Sequence, residues 1–167
     1  ETFPDMNIIV YDNTAAFRGV IPTPVYAALA EIPQVIAVKY AGGAAIGFRY
    51  HHDLQAVRGK VRLMLIETIW FLAYSLYPEE SPACWSSTVA CGPWPVLYLR
   101  DAIQSGRLEE ARWVSERILW AHEPFLVSQD FTEFARYNTP LEKMRFNAAG
   151  YIKAGPSRPP YTFDIVP

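Results

Sequence analysis

Two continuous apolar runs near the start of the chain each end in a residue that can carry chemistry. Residues 7–10 (Asn-Ile-Ile-Val) precede Tyr11, and residues 35–38 (Val-Ile-Ala-Val) precede Lys39. Such runs are typical of parallel strands buried on both faces. Residues 24–31 between them have helical composition, so this segment predicts one β-α-β unit. Successive parallel strands present their carboxyl ends on the same side, and we therefore expect Tyr11 and Lys39 to face one pocket.

The alternation of strand and helix continues over the first hundred residues and predicts an α/β fold with a parallel sheet. Gly106 marks its end, and helical periodicity with few breaks follows. We therefore predict two parts, residues 1–106 with the β-α units and residues 107–167 as a helical extension of the same domain. The predicted strands are 7–11, 35–39, 61–66 and 83–88, and the predicted helices are about 24–31, 44–57, 68–77, 95–104, 108–125 and 130–149.

Composition narrows the class of protein. The 167 residues are 51% hydrophobic with a formal charge of −2, which gives no electrostatic footprint for nucleic acid or an anionic membrane. The most apolar stretch, residues 68–77, is about half of the ~20 residues that a membrane-spanning helix needs. Cys84 and Cys91 match neither a metal knuckle nor a redox pair, so we expect buried free thiols and a cytoplasmic protein.

Neither a metal nor a cofactor is expected from the motifs. The sequence contains no phosphate loop, Gly-rich dinucleotide turn or metal-ligand helix. His51, His52 and Asp53 are adjacent on a predicted helix and point in different directions. This arrangement favours a solvated helix face over a metal site.

Lys39 is the candidate nucleophile. A lysine withdrawn from water loses proton affinity, and its free amine can attack a carbonyl to form a Schiff base. A nearby phenol such as that of Tyr11, 28 positions earlier, can shuttle the protons that this chemistry requires. The alternative is a lysine that extends from the strand end to solvent.

Several segments resemble one superfamily. The Tyr11 and Lys39 segments, Ile-Val-Tyr-Asp-Asn and Val-Ile-Ala-Val-Lys-Tyr, are similar to the second half of dihydrodipicolinate synthases and N-acetylneuraminate lyases. Residues 83–87, 90–93, 120–123, 137–147 and 153–156 resemble the trans-o-hydroxybenzylidenepyruvate hydratase-aldolase branch of that superfamily. The resemblance covers roughly residues 7–161. It implies strands 5–8 of a (β/α)8 TIM barrel, that is, its C-terminal half, followed by the helical extension.

By this resemblance Lys39 forms the imine and Tyr11 relays protons, while Trp85 and Asn138 contact the aryl end and hydroxyl of the substrate. Trp85 could instead pack in the core, and Asn138 could be a solvated or capping amide. The implied activity is metal-free, pyruvate-forming cleavage of an aryl-substituted unsaturated 2-oxo acid to an aromatic aldehyde. Ala16 and Ala41 stand where the synthases carry arginine and the lyases a hydroxyl residue, which suits a less polar co-substrate.

The resemblance also implies partners. The loop that holds the pyruvate carboxylate in this family belongs to the N-terminal half of the barrel, so that half must come from the same or a separate chain. A homo-oligomer, tetramer or trimer, is expected as well. The alternatives are another pyruvate-dependent Schiff-base lyase or synthase, and a non-catalytic half-barrel that serves as an interaction subunit.

Overall fold

The structure of the chain is a computed structural model that describes residues 3, 5–41, 46–125 and 131–161. The chain forms two compact units, Glu1–Trp85 and Ser86–Pro167. The predicted division at residue 106 assigned one more helix to the first part and stays a prediction about domain organisation. None of the helices in the described ranges combines the length and the apolar composition needed to cross a membrane.

The first unit is a parallel sheet with helical connections. Its four strands lie side by side in chain order and all pair in parallel, which confirms the predicted α/β alternation. The strands are β1 (Ile8–Asp12), β2 (Val35–Tyr40), β3 (Arg62–Ile66) and β4 (Cys84–Trp85), and the helices are α1 (Thr14–Phe17), α2 (Thr23–Leu29), α3 (Phe48–Val57) and α4 (Glu67–Leu76).

Alternation along the strands separates a core face from an opposite face. Val38 and Tyr40 on β2 and Leu63 and Leu65 on β3 are buried in one apolar cluster that also contains Tyr26 of α2. The core thus lies between the sheet and its covering helices. The other face carries the residues expected to do chemistry.

The predicted strand over residues 83–88 is mostly wrong. Only Cys84 and Trp85 form a strand, and a 3-10 helix follows at Thr88–Cys91. The Ser86 Oγ accepts a hydrogen bond from the Val89 backbone N–H (3.2 Å), a local bond that competes with strand pairing and turns the chain.

The predicted solvated face on residues 51–53 is wrong for Asp53. His52 is exposed as expected, but Asp53 is fully buried because α3 turns this side toward the sheet. The predicted start of the helix at residue 44 lies outside the described residues.

The second unit is helical, as predicted. It contains α5 (Trp94–Gln104), α6 (Leu108–His122), a 3-10 turn (Glu123–Phe125) and α7 (Phe131–Ala149). Ala111, Ser115 and Ile118 form a buried stripe on α6, whereas Leu108 lies exposed at its start. α7 continues through a buried Pro140.

Candidate active site

Tyr11 and Lys39 lie opposite each other at the carboxyl ends of β1 and β2. They are direct partners in the parallel register, and their neighbours Asp12 and Tyr40 are the next pair. Lys39 Nζ lies 4.3 Å from the centroid of the Tyr11 ring. The expected juxtaposition of these two side chains is therefore present.

Trp85 joins this pair from β4. In the strand order, β1 and β4 lie on opposite sides of β2, and Lys39 Nζ lies 4.4 Å from the centroid of the Trp85 ring. The Trp85 Nε1–H donates to the backbone carbonyl of Tyr40 (3.4 Å), which holds the indole over the end of β2. Trp85 is thus half-buried beside Lys39 rather than packed in the core cluster. The Lys39 amine therefore lies over the rings of both Tyr11 and Trp85.

This environment suits an amine that must react with a carbonyl. Each ring face attracts a cation within about 6 Å, so the two rings help to hold the end of the lysine side chain in place. Within the described ranges, no carboxylate lies within 4.0 Å of Lys39 Nζ. A close carboxylate would favour the charged, non-nucleophilic form of a lysine. Among the described residues, the Lys39 amine therefore has no ion-pair partner.

Asn13 is a residue that the sequence analysis missed. Its Nδ2 donates to the Tyr11 hydroxyl (2.6 Å), while its Oδ1 accepts from the Ala16 backbone N–H (3.0 Å) and caps α1. The Phe17 ring meets the Tyr11 ring edge-on at 5.5 Å. An asparagine directly before a short helix is an N-cap signal and was available in the sequence. The capped turn thus orients the phenol.

Cys84 lies on the same strand as Trp85 and is unsuited to be a nucleophile. Burial and the nearby Glu67 carboxylate raise the pKa of its thiol to about 12, so it stays protonated near neutral pH. Both cysteines are free, as predicted, but neither is fully buried: Cys84 is half-buried and Cys91 is exposed, which contradicts the expectation of two buried thiols.

Asn138 lies exposed on α7, in the second unit. Its predicted contact with the substrate stays a prediction. In the parts of the chain that the structure describes, no group of three or more His, Cys, Asp or Glu side chains could hold a metal ion.

The fold is that of half a dihydrodipicolinate synthase-like (β/α)8 barrel. A solved structure described as a dihydrodipicolinate synthase from Thermus thermophilus matches with a TM-score of 0.72 at 22% identity, over 96% of this chain and 51% of that one. Identity this low concerns the fold alone. The structural match agrees with the prediction that the chain contains strands 5–8 of a TIM barrel.

Three further matches are more similar to this chain, and two of them are named hydratase-aldolases. The structure of PhdJ bound to a substrate intermediate matches with a TM-score of 0.89 at 44% identity, over 96% of this chain and 50% of that one. A trans-2'-carboxybenzalpyruvate hydratase-aldolase from Nocardioides sp. (strain KP7) is 44% identical, over 96% of this chain and 48% of that protein. A trans-O-hydroxybenzylidenepyruvate hydratase-aldolase from Sphingobium xenophagum is 38% identical, over 96% and 49%.

These matches confirm the resemblance inferred from the motifs: the chain is a relative of the hydratase-aldolases. No protein-family model matches it. The chain spans about half the length of the curated relatives it matches.

Proposed function

We propose that this chain is the Schiff-base half of a hydratase-aldolase that cleaves an aryl-substituted unsaturated 2-oxo acid to an aromatic aldehyde and pyruvate. The observation that carries this proposal is the Lys39 amine held between the rings of Tyr11 and Trp85 at the carboxyl ends of the strands. Catalytic residues of (β/α)8 barrels come from this end of the strands. The activity requires the other half of the barrel.

In the proposed reaction, the Lys39 amine attacks the keto carbon C2 and forms an imine with loss of water. The imine is conjugated with the C3=C4 double bond, so hydroxide adds to the aryl-bearing C4 and a proton to C3. Loss of the new hydroxyl proton breaks the C3–C4 bond and releases the aldehyde. The remaining enamine takes a proton on its terminal carbon, and hydrolysis returns pyruvate and free Lys39.

Tyr11 is the proposed proton relay for these steps. Its ring lies against the lysine, and its hydroxyl oxygen accepts a hydrogen bond from Asn13. With an amide donor satisfying one lone pair, the phenol proton is left to point toward the imine or the carbinol oxygen.

The substrate's aryl end is assigned to Trp85 and Asn138. The indole face offers a large apolar surface for an aromatic ring, and Asn138 offers an amide that can bond the substrate's hydroxyl. Ala16 and Ala41 occupy positions where relatives with polar co-substrates carry polar side chains. Since the named relatives take 2'-carboxy and o-hydroxy compounds, we propose benzalpyruvates with an ortho substituent as the substrate class.

The proposal extends to partners and location. A segment equivalent to the other half of the relatives would supply the donors for the keto-acid carboxylate, in the same or a separate chain. We also propose that the protein assembles into a homo-oligomer, either a tetramer or a trimer. Because its two cysteines are free, we propose a cytoplasmic location.

Reductive trapping tests this proposal. The complete barrel, that is, this chain together with the other half, is incubated with pyruvate and sodium borohydride. Its peptides are then mapped by mass spectrometry. We expect one pyruvyl adduct, on Lys39. Lys60, an exposed lysine bonded to Glu31, is the internal control and should stay unmodified. Absence of an adduct would support the alternative of a non-catalytic half-barrel.

Replacing Tyr11 with phenylalanine should lower turnover by about 10²–10⁴-fold, because it deletes the relay hydroxyl and keeps the ring beside Lys39. Steady-state kinetics and thermal unfolding check this, and the thermal midpoint should change little. Tyr98→Phe is the matched control, since it deletes an exposed hydroxyl that bonds Glu110. Near-normal activity of Tyr11→Phe would make this tyrosine a packing residue.

A further inference from the structure

The far side of the strand ends carries a second set of polar side chains. Asp12 directly follows Tyr11, and Tyr40 directly follows Lys39; the two are partners in the β1–β2 register. Because side chains alternate along a strand, Asp12 and Tyr40 point away from the site and toward the covering helices. Both are buried, with 2% and 3% of their surface exposed.

Asp12 is bound from α2. The Tyr26 hydroxyl donates to Asp12 Oδ2 at 2.5 Å, and Tyr26 is fully buried. A buried carboxylate loses its hydration and is costly unless hydrogen bonds replace it. The end of β1 is therefore fixed to α2 by a bond whose loss would leave a buried acceptor unsatisfied.

Tyr40 is bound from α3. Its hydroxyl donates to Asp53 Oδ2 (2.9 Å), and the Thr23 hydroxyl at the start of α2 donates to Asp53 Oδ1 (2.6 Å). Arg49 approaches Asp53 Oδ2 at 3.4 Å and also donates to the Ile21 carbonyl (3.0 Å). Asp53 thus connects the end of β2 with both helices.

The Tyr26–Asp12 bond and the Tyr40–Asp53 bond act as two clamps on the strand ends. The two clamps contact each other. The rings of Tyr26 and Tyr40 pack with centroids 6.0 Å apart. Burial, followed by the bonded carboxylate, raises the pKa of both phenols, so each stays a protonated donor across the neutral range. A chain of side chains from Asp12 to Asp53 therefore spans the back of both strand ends.

We propose that Tyr26 and Asp53 are positioning residues for the reaction: acting from the back of the sheet, they hold Asp12 and Tyr40 and so fix the separation of Tyr11 and Lys39. The inference rests on the proposed function. Neither residue faces the site, and each acts through the strand-end residue next to a reacting group. Displacements of well under 1 Å between reacting groups already cost rate, since about 1 Å can cost about 10²-fold.

The test uses Tyr26→Phe and Tyr40→Phe in the complete barrel. Each removes one clamp hydroxyl and keeps the packed ring. Tyr50→Phe is the matched control. Tyr50 is equally buried and packs on Tyr40 at 5.5 Å, but among the described residues its hydroxyl bonds neither strand end.

We expect kcat to fall about tenfold in both clamp variants, with KM unchanged to within about twofold, because positioning acts on the reacting geometry. The rate of pyruvate trapping at Lys39 should fall with kcat. The control should keep its kcat. Wild-type kcat in the clamp variants, with only the thermal midpoint lowered, would overturn the proposal. If a clamp variant does not fold, Thr23→Val removes one donor to Asp53 and should show a smaller loss confined to kcat.

A double-mutant cycle tests the route of the effect. If Tyr26 acts through Tyr11, Tyr26→Phe should cost little further activity in a Tyr11→Phe background, so the two losses should not add. Fully additive losses would overturn the inference. Its failure is distinguishable from that of the proposed function, because Lys39 would still be trapped with pyruvate at the wild-type rate in the clamp variants. No trapping in the wild-type protein would instead reject the function.

Discussion

Replacing Lys39 with arginine should reduce turnover of a benzalpyruvate by the complete barrel to less than about a hundredth of the wild-type rate. Guanidinium stays protonated and cannot act as the amine of an imine, and loss of a nucleophile has effects of this size or larger. Arginine retains the positive charge between Tyr11 and Trp85, so binding of the cation by the two rings is preserved. Steady-state kinetics with purified protein is the measurement.

Lys39→Ala should be equally inactive and should give no pyruvyl adduct after borohydride reduction. Lys60→Arg is the matched control, because Lys60 is an exposed lysine whose charge pairs with Glu31 and whose amine has no role in the reaction. An arginine variant that keeps more than about a hundredth of the wild-type rate, on the scale of general acid–base losses, would show that Lys39 is not the nucleophile.

The pairing of Tyr11 with Lys39 could be predicted because it depends on local sequence alone. Apolar runs defined both strands, and the intervening helix set their parallel direction. The carboxyl ends then had to meet on one side of the sheet. The observed register joins the two residues directly. The parallel sheet followed from the same periodicity, since strands and helices alternate at the spacing of β-α units.

Features that depend on distant hydrogen bonds could not be predicted. Asp53 was predicted to lie on the surface because its neighbours His51 and His52 are polar. It is buried instead, and its carboxylate accepts hydrogen bonds from the Thr23 and Tyr40 hydroxyls. Hydrophobic periodicity does not predict that Asp53 contacts Thr23, which lies 30 positions earlier in the chain, or Tyr40, which lies 13 positions earlier. Buried carboxylates therefore appear only when tertiary structure supplies their donors.

The fourth strand illustrates another limit. Trp85 and Thr88 are of the aromatic and β-branched types that favour strands, but Ser86 accepts a hydrogen bond from the Val89 backbone N–H and the strand ends after Trp85. A serine hydroxyl can either point away or bond the backbone, and composition does not distinguish the two. The short strand nevertheless brings Trp85 to Lys39.

The sheet edges lead to the second large prediction. In the described part of the chain, β1 pairs with β2 alone and β4 with β3 alone, so each outer edge has no neighbouring strand. Ile9 and Tyr11 on β1 are 55% and 44% exposed. Unpaired edges with apolar side chains favour pairing with other chains and aggregation. In a (β/α)8 barrel both edges are closed by the other half.

We therefore expect the 167-residue chain alone to be aggregated or molten and to bind no pyruvate. Size-exclusion chromatography, near-UV circular dichroism and denaturant unfolding measure its state. Co-production with a segment equivalent to the first half of a relative should give a folded protein whose Lys39 is trapped by pyruvate and borohydride. We expect that segment to close the strand edges and to supply the carboxylate site.

A Lys39→Ala version of the chain is the control that separates assembly from chemistry. It should assemble with the complementary half and unfold cooperatively, because Lys39 is only half-buried, yet it should give no adduct. A monomeric chain that unfolds cooperatively without any complement would contradict the half-barrel interpretation. Its apolar edges would then have to be covered by the chain itself. In that case the carboxylate site, too, would have to come from these 167 residues, and the catalytic scheme would need a different anion-binding group.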